Sequence, residues 1–146
     1  MTEPKGGKHF VRSTKRRTRE DFAHCLKWLE KKYQDAVTIH LVMDNLNTHT
    51  EGSLIKTYGD KEGRRLWARF TVHYTPVHAS WLNQAEIAIG QISTAVLQER
   101  IPDIKTLNTK TTAFAASLRR DKWKINWVFT VKKAKDWISR RAKHVA

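Results

Sequence analysis

Val37-Thr38-Ile39-His40-Leu41-Val42-Met43-Asp44-Asn45 is the stretch on which the fold turns. Residues 37 to 43 are β-branched or apolar at nearly every position and run straight into Asp44-Asn45, as a buried strand does on reaching a functional edge. The expectation is an interior strand whose carboxyl end presents Asp44. On the N-terminal side, Thr18 offers an N-cap with Asp21 three residues on, and Phe22, Leu26, Leu29 and Tyr33 repeat at helical spacing. That predicts an amphipathic helix, preceded by a basic loop, Ser13 to Arg19, and a short strand over Lys8 to Arg12. On the other side, Thr48 to Trp67 reads as one or two helices interrupted near Gly59 and Gly63, and Phe70 to Tyr74 as a second strand closed by Pro76. From Ser80, Leu82, Ala85, Ile89, Ile92 and Val96 form an apolar stripe at helical spacing, with Pro102 soon after. Lys105 to Arg120 suggests another helix, and Lys132 to Lys143 a final basic one carrying Trp137. Strands alternating with helices imply an α/β architecture, in which functional residues gather beyond the carboxyl ends of strands.

Composition narrows the partners. The 146 residues suffice for one core, and 28 Lys+Arg against 14 Asp+Glu give a net charge of +14. The first 20 residues hold seven Lys/Arg and two acids, residues 105 to 146 hold twelve and two, and the stretch between is balanced. Such clustering is either a set of solvated faces or a means of neutralising phosphates, which releases condensed counterions; we favour a polyanion partner, nucleic acid. The single Cys25 excludes a disulfide framework, and seven histidines beside it make no zinc pattern. No signal-like apolar region opens the chain and no apolar run could cross a bilayer, so no membrane partner is expected. Among the tryptophans, Trp28, Trp67 and Trp81 are expected in the core. Trp123, Trp127 and Trp137 are expected to anchor a terminal helix rather than to stack on bases.

Two carboxylates stand out by position. Asp44 follows the apolar strand, and Glu86 lies beside the apolar stripe of the helix after the second strand, sharing an edge with Asn83 and Gly90. Such a pair on rigid elements offers hard oxygen ligands to Mg²⁺ or Mn²⁺, the arrangement that serves phosphodiester displacement. Taken singly, Asp44 can be a turn residue and Glu86 part of a cap begun at Asn83. A phosphoacceptor role for Asp44 would need further acids at the strand ends, and the sequence has none there.

The run Ile39-His40-Leu41-Val42-Met43-Asp44-Asn45-Leu46-Asn47-Thr48-His49, followed by His73-Tyr74-Thr75-Pro76-Val77-His78-Ala79-Ser80-Trp81-Leu82-Asn83-Gln84-Ala85-Glu86, resembles the catalytic domain of bacterial insertion-sequence transposases of the mariner-like DDE superfamily. Ile125-Asn126-Trp127-Val128-Phe129-Thr130 is similar to that family's closing motif. Val77 stands where a basic residue is common, and Ala79 where glycine is common. The resemblance spans nearly the whole chain, 1–146, with the basic region from about residue 105 as its C-terminal part. It implies an RNase H-like fold, metal-dependent strand cleavage and transfer during DNA transposition, and Mg²⁺ or Mn²⁺ held by Asp44 and Glu86 as the second and third catalytic carboxylates.

The family's first catalytic Asp sits on the first strand, upstream of anything matched here. The acids before Asp44 are Glu3, Glu20, Asp21, Glu30 and Asp35, and none follows a strand-like run. The chain therefore resembles the distal part of the domain, lacking the first strands, and an upstream chain could supply the missing Asp. Asn45 and His49 would orient Asp44 or touch DNA. His78, Ser80 and Asn83 would hold a phosphate near the Glu86 helix, with a plain N-cap the alternative for Ser80. Lys15, Arg16, Arg17, Arg119, Arg120, Lys122, Lys132 and Lys133 are the candidate phosphate contacts to transposon ends and target. The rival reading is a non-catalytic DNA-binding remnant, or one subunit of a split transposase. A cytoplasmic, nucleoid-associated location and a homodimer are further expectations.

Overall fold

The structure is a computed structural model that describes residues 1–76 and 84–126, together with 130, 132, 133 and 135. The expected helix after the basic loop is α1 (Arg19–Lys32). Its start is fixed by a reciprocal capping box. The Asp21 N–H donates to the Thr18 hydroxyl at 3.1 Å, and the Thr18 N–H donates to the Asp21 carboxylate at 3.1 Å. The apolar face of α1 buries Ala23, Leu26 and Leu29 against Leu54, Leu66 and Phe70, with Phe22, Tyr33, Ile39, Leu41 and Val72 packed around them.

The second side of this core is a parallel pair of strands, β3 (Ile39–Met43) and β4 (Phe70–Tyr74), in register from Ile39 opposite Phe70 to Met43 opposite Tyr74. Two helices make the crossover, α2 (Glu51–Tyr58) and α3 (Asp60–Trp67). The break between them falls at Gly59, whose φ of +83° suits glycine, while the helix runs unbroken through Gly63. Gly63 lets α3 lie directly on the α2 backbone, since a Cβ there would meet the Ile55 Cα at 2.6 Å.

A second group of elements forms around the N-terminus. Strands β1 (Thr2–Glu3) and β2 (Lys8–His9) make a small antiparallel hairpin, with Gly7 at φ +61°. The hairpin is fastened to α5 (Ile104–Arg120), which is N-capped by Asp103. His9 is buried, its Nε2 lies 3.1 Å from the Trp123 carbonyl, and the Arg119 guanidinium donates to the His9 carbonyl. Helix α4 (Gln84–Val96) packs on α5 and on β1. A cleft of about 570 Å³ opens among the hairpin, α1, α4 and α5, with Phe10, Cys25, Trp28, Ala88 and Ile92 in its wall.

Four expectations need correction. The strand expected over Lys8 to Arg12 is only Lys8–His9, and its partner Thr2–Glu3 has no alternating pattern by which to find it. The strand expected to be interior pairs with β4 alone among the described residues. Its alternate residues face outward, leaving Val42 55% exposed, and Val37 stands before the strand at 95%. Trp28 is not core: it is 41% exposed and meets Phe10 edge to face across the cleft. On α4 it is Ala88 and Val96 that are buried, whereas Ile89 is 61% exposed beside the cleft. Trp81 and Leu82, Trp127 within the closing motif, and most of the expected final helix with Trp137 lie outside the described residues. Among the described residues no helix is long and apolar enough to cross a membrane.

Candidate active site at the end of the third strand

Asp44 is the first residue beyond β3, where the sequence places it. Its carboxylate lies in ion-pair range of His49, with Nδ1 of the ring 2.6 Å from Oδ1. Nδ1 also lies 3.4 Å from the Asp44 carbonyl, and Oδ1 is buried without a well-aligned hydrogen bond although the side chain as a whole is 42% exposed. One carboxylate oxygen is thus sunk in the protein while the group opens to solvent. A second buried polar atom without a partner, the Thr48 hydroxyl, belongs to the same loop.

The loop is held from three sides. The Phe22 ring of α1 lies against the His49 ring, centroids 4.7 Å apart. The Tyr74 hydroxyl at the end of β4 donates to the His49 carbonyl at 2.8 Å, and partial burial raises that phenol's pKa. The buried Ser53 hydroxyl donates to the Thr48 carbonyl at 2.7 Å, tying the loop to α2. Within the loop, His49 N–H donates to the Leu46 carbonyl at 2.8 Å. His49 is thereby held against Asp44, while Asn45 beside it is exposed.

Glu86 is in the first turn of α4 and exposed. No hydrogen bond, ion pair or ring contact joins it to Asp44 or His49. His78, Ser80 and Asn83 lie outside the described residues. Among the described residues no group of three or more His, Cys, Asp or Glu is arranged to hold a metal. The acids upstream of Asp44 are engaged elsewhere or exposed. The Glu3 carboxylate accepts from Tyr33 and pairs with Lys8, which holds its pKa low, Asp21 caps α1, and Asp35 is exposed.

The charges divide as the sequence suggests. In the balanced centre they are paired: Arg65 meets Glu30 at 2.8 Å and Glu62 at 2.7 Å, and its hydrogen bonds pull Glu62 down to about 2. Lys15, Arg16 and Arg17 are exposed, and none makes an ion pair among the described residues. Lys122, Lys132 and Lys133 are also exposed, and Arg120 pairs only with its neighbour Asp121. Arg119 is turned inward, onto the His9 carbonyl and over the Phe10 ring. Sequence reasoning missed Tyr74 as a support of the site, because a tyrosine ending a strand carries no signal that its hydroxyl will reach a neighbouring loop. It also missed the pairing of His40 with His73, which the strand register creates.

Residues 1–108 match a family described as DDE superfamily endonuclease. No curated protein and no solved structure matches the chain.

Proposed function

The chain belongs to the DDE superfamily endonucleases, whose substrate is DNA and whose nucleases generally use divalent metals; from that membership we propose that it serves DNA transposition, through metal-dependent strand cleavage and transfer. In this reading the β3–β4 pair belongs to an RNase H-like sheet, of the insertion-sequence, mariner-like kind. The observation that carries it is the Asp44 Oδ1, buried without a well-aligned hydrogen bond at a strand's carboxyl end. A carboxylate oxygen that meets one imidazole nitrogen keeps lone pairs for a hard cation. Asp44 therefore fits a Mg²⁺ or Mn²⁺ ligand, and Glu86 is the second ligand by its place in the motif. The metals, when bound, offset charge on the attacking and leaving oxygens of the phosphodiester. The chain's own residues do the rest: His49 holds the Asp44 carboxylate in one orientation, Tyr74 and Phe22 hold His49, and the basic ends grip phosphates.

Two carboxylates do not make the three-carboxylate site of the family, and no third acid stands by Asp44 among the described residues. The proposal is that the third comes from outside residues 1–146, on a strand that adds to β3. The backbone is ready for one. Ile39 donates to Arg69 at 3.0 Å and Met43 accepts from Thr75 at 2.9 Å, so the alternate residues His40 and Val42 turn their N–H and C=O groups to the far edge. The test is nicking of supercoiled plasmid with Mg²⁺ and Mn²⁺, by this chain alone and with the polypeptide encoded immediately upstream supplied in trans, while amide exchange is followed at His40 and Val42. The expected result is no nicking alone, and nicking with slowed exchange at those amides on complementation. Nicking by the lone chain that vanishes in Asp44→Asn and Glu86→Gln would show that an acid within it completes the site. DNA binding with no nicking under any complementation would favour the non-catalytic reading.

A further inference from the structure

The outer face of the β3–β4 pair carries a feature that the cleavage chemistry does not use. His40 on β3 and His73 on β4 stand side by side there, both exposed, with ring centroids 5.4 Å apart and ring planes within 15° of parallel. His40 Nδ1 lies 3.1 Å from His73 Nε2. The register explains the meeting: His40 is opposite Thr71 and Val42 opposite His73, so the two histidines are diagonal neighbours on one face. In the metal-free pair one ring donates its N–H and the other accepts it. Those two nitrogens are as far apart as two ligands on one ion should be. With metal–nitrogen bonds of about 2.0–2.1 Å, a 3.1 Å separation subtends about 100° at the ion, between the tetrahedral and square-planar angles.

We propose that His40 and His73 form a two-imidazole site for a borderline divalent transition ion of the Cu²⁺, Ni²⁺ or Zn²⁺ class, separate from the carboxylate site at Asp44. Binding requires the donor ring to move its proton to its other nitrogen, so that both facing nitrogens present lone pairs, and no net proton is released from the neutral pair. Among the described residues no third His, Cys, Asp or Glu joins them, so water fills the remaining positions. Selection against Mg²⁺ follows from ligand type, since that ion takes oxygen donors and dehydrates reluctantly. The ion would bridge β3 to β4 four residues before Asp44.

The experiment titrates the full, tag-free chain with Cu²⁺ and, separately, Zn²⁺, for wild type, His40→Gln, His73→Gln and the control His24→Gln. Each of the first two variants should lose at least about tenfold in affinity, the scale on which losing even a group that supports a metal ligand acts, and the control should lose none. Zn²⁺ should raise the thermal midpoint of wild type and leave that of both variants unmoved. Unchanged affinity in either single variant, or a loss confined to one of them, would overturn the chelate. Should a variant fail to fold, wild type decides by itself. Substoichiometric Cu²⁺ must broaden the ring resonances of His40 and His73 before any others, and broadening that begins elsewhere refutes the site.

Discussion

Replacing Gly63 by alanine should destabilise the protein although alanine is the better helix former. Gly63 lies inside α3, and a Cβ at that position would stand 2.6 Å from both the Cα and the N of Ile55 and 2.9 Å from the Leu54 carbonyl carbon. All three are backbone atoms of α2, so no side chain can swing aside, and relief requires α2 and α3 to part by about 1 Å. Overpacking of this kind costs about 1–3 kcal/mol, while the propensity gain of Gly→Ala returns up to about 1 kcal/mol. The net expectation is a loss of about 1–2 kcal/mol. Gly90 in α4 supplies the control, since a Cβ there would meet nothing within 4 Å, and Gly90→Ala should stabilise by about 0.5–1 kcal/mol. Urea unfolding followed by far-ultraviolet circular dichroism reads both. One substitution type with opposite signs at two helical glycines tests the α2–α3 contact specifically. The consequence reaches the site, because α2 carries the Ser53 hydroxyl that holds the Thr48 carbonyl. A Gly63→Ala chain as stable as wild type would refute the close approach.

Mn²⁺ should broaden backbone resonances around Asp44 and Glu86 weakly but detectably; broadening at the chain ends with those signals untouched would remove the assignment of the site. DNA binding should be sequence-tolerant and steeply salt-dependent. Changing Lys15, Arg16 and Arg17 together to alanine should flatten the log–log salt slope by about 2–3 on duplex DNA, at about 0.9 per phosphate contact. Deleting residues 131–146 should flatten it as well, and an unchanged slope after both would give the basic ends another purpose. Burial, and then the hydrogen bond to the Glu3 carboxylate, raise Tyr33 to about 12. One phenol should therefore ionise late in an alkaline absorbance titration and disappear from it in Tyr33→Phe. Because the folded pKa lies above the unfolded value of about 10, the associated stability is complete below pH ~10 and fades as the pH rises toward 12. A titration in which every tyrosine ionises near its ordinary pKa would refute the contact.

What could be read from the chain and what could not divide along the range of the interactions. The α1 cap was legible because Thr18 and Asp21 are three residues apart and bond to each other. β4 was legible to its ends because Phe70 to Tyr74 are bounded by Arg69 and Pro76, and the helix expected over Lys105 to Arg120 is α5 to within one residue. The hairpin was not legible: Thr2–Glu3 pairs with Lys8–His9 chiefly because α5 and Trp123 are there to receive it, and His9 meets the Trp123 carbonyl from 114 positions away. The same limit applied at the site. Asp44 could be chosen from a strand that ends in an acid, and His49 from its place in the motif. Neither the support from Tyr74 nor the inward turn of Arg119 leaves a local mark, since each depends on which elements the fold brings alongside.

On the proposed function, the separation of the basic clusters from the Asp44 site makes DNA affinity and cleavage separable. Arg65 neutralises Glu30 and Glu62 within the core unit, Arg64 pairs with Asp60, and Lys110 with Glu99. Among the described residues, the clustered cations without an acidic partner are Lys15, Arg16 and Arg17 before α1 and Lys122, Lys132 and Lys133 beyond α5. Asp44 stands at neither place, at the end of β3 with its one neighbouring histidine. An anion there opposes DNA until a cation offsets it, so without bound metal the site is a repulsive point between attractive ends. Asp44→Asn removes that repulsion without touching the basic ends. It should leave metal-free DNA affinity equal to or slightly above wild type, even as it abolishes any cleavage in the complemented enzyme. Were affinity to fall with Asp44→Asn, the loop itself would be part of the grip on DNA, and the two roles assigned here to separate regions would have to be joined.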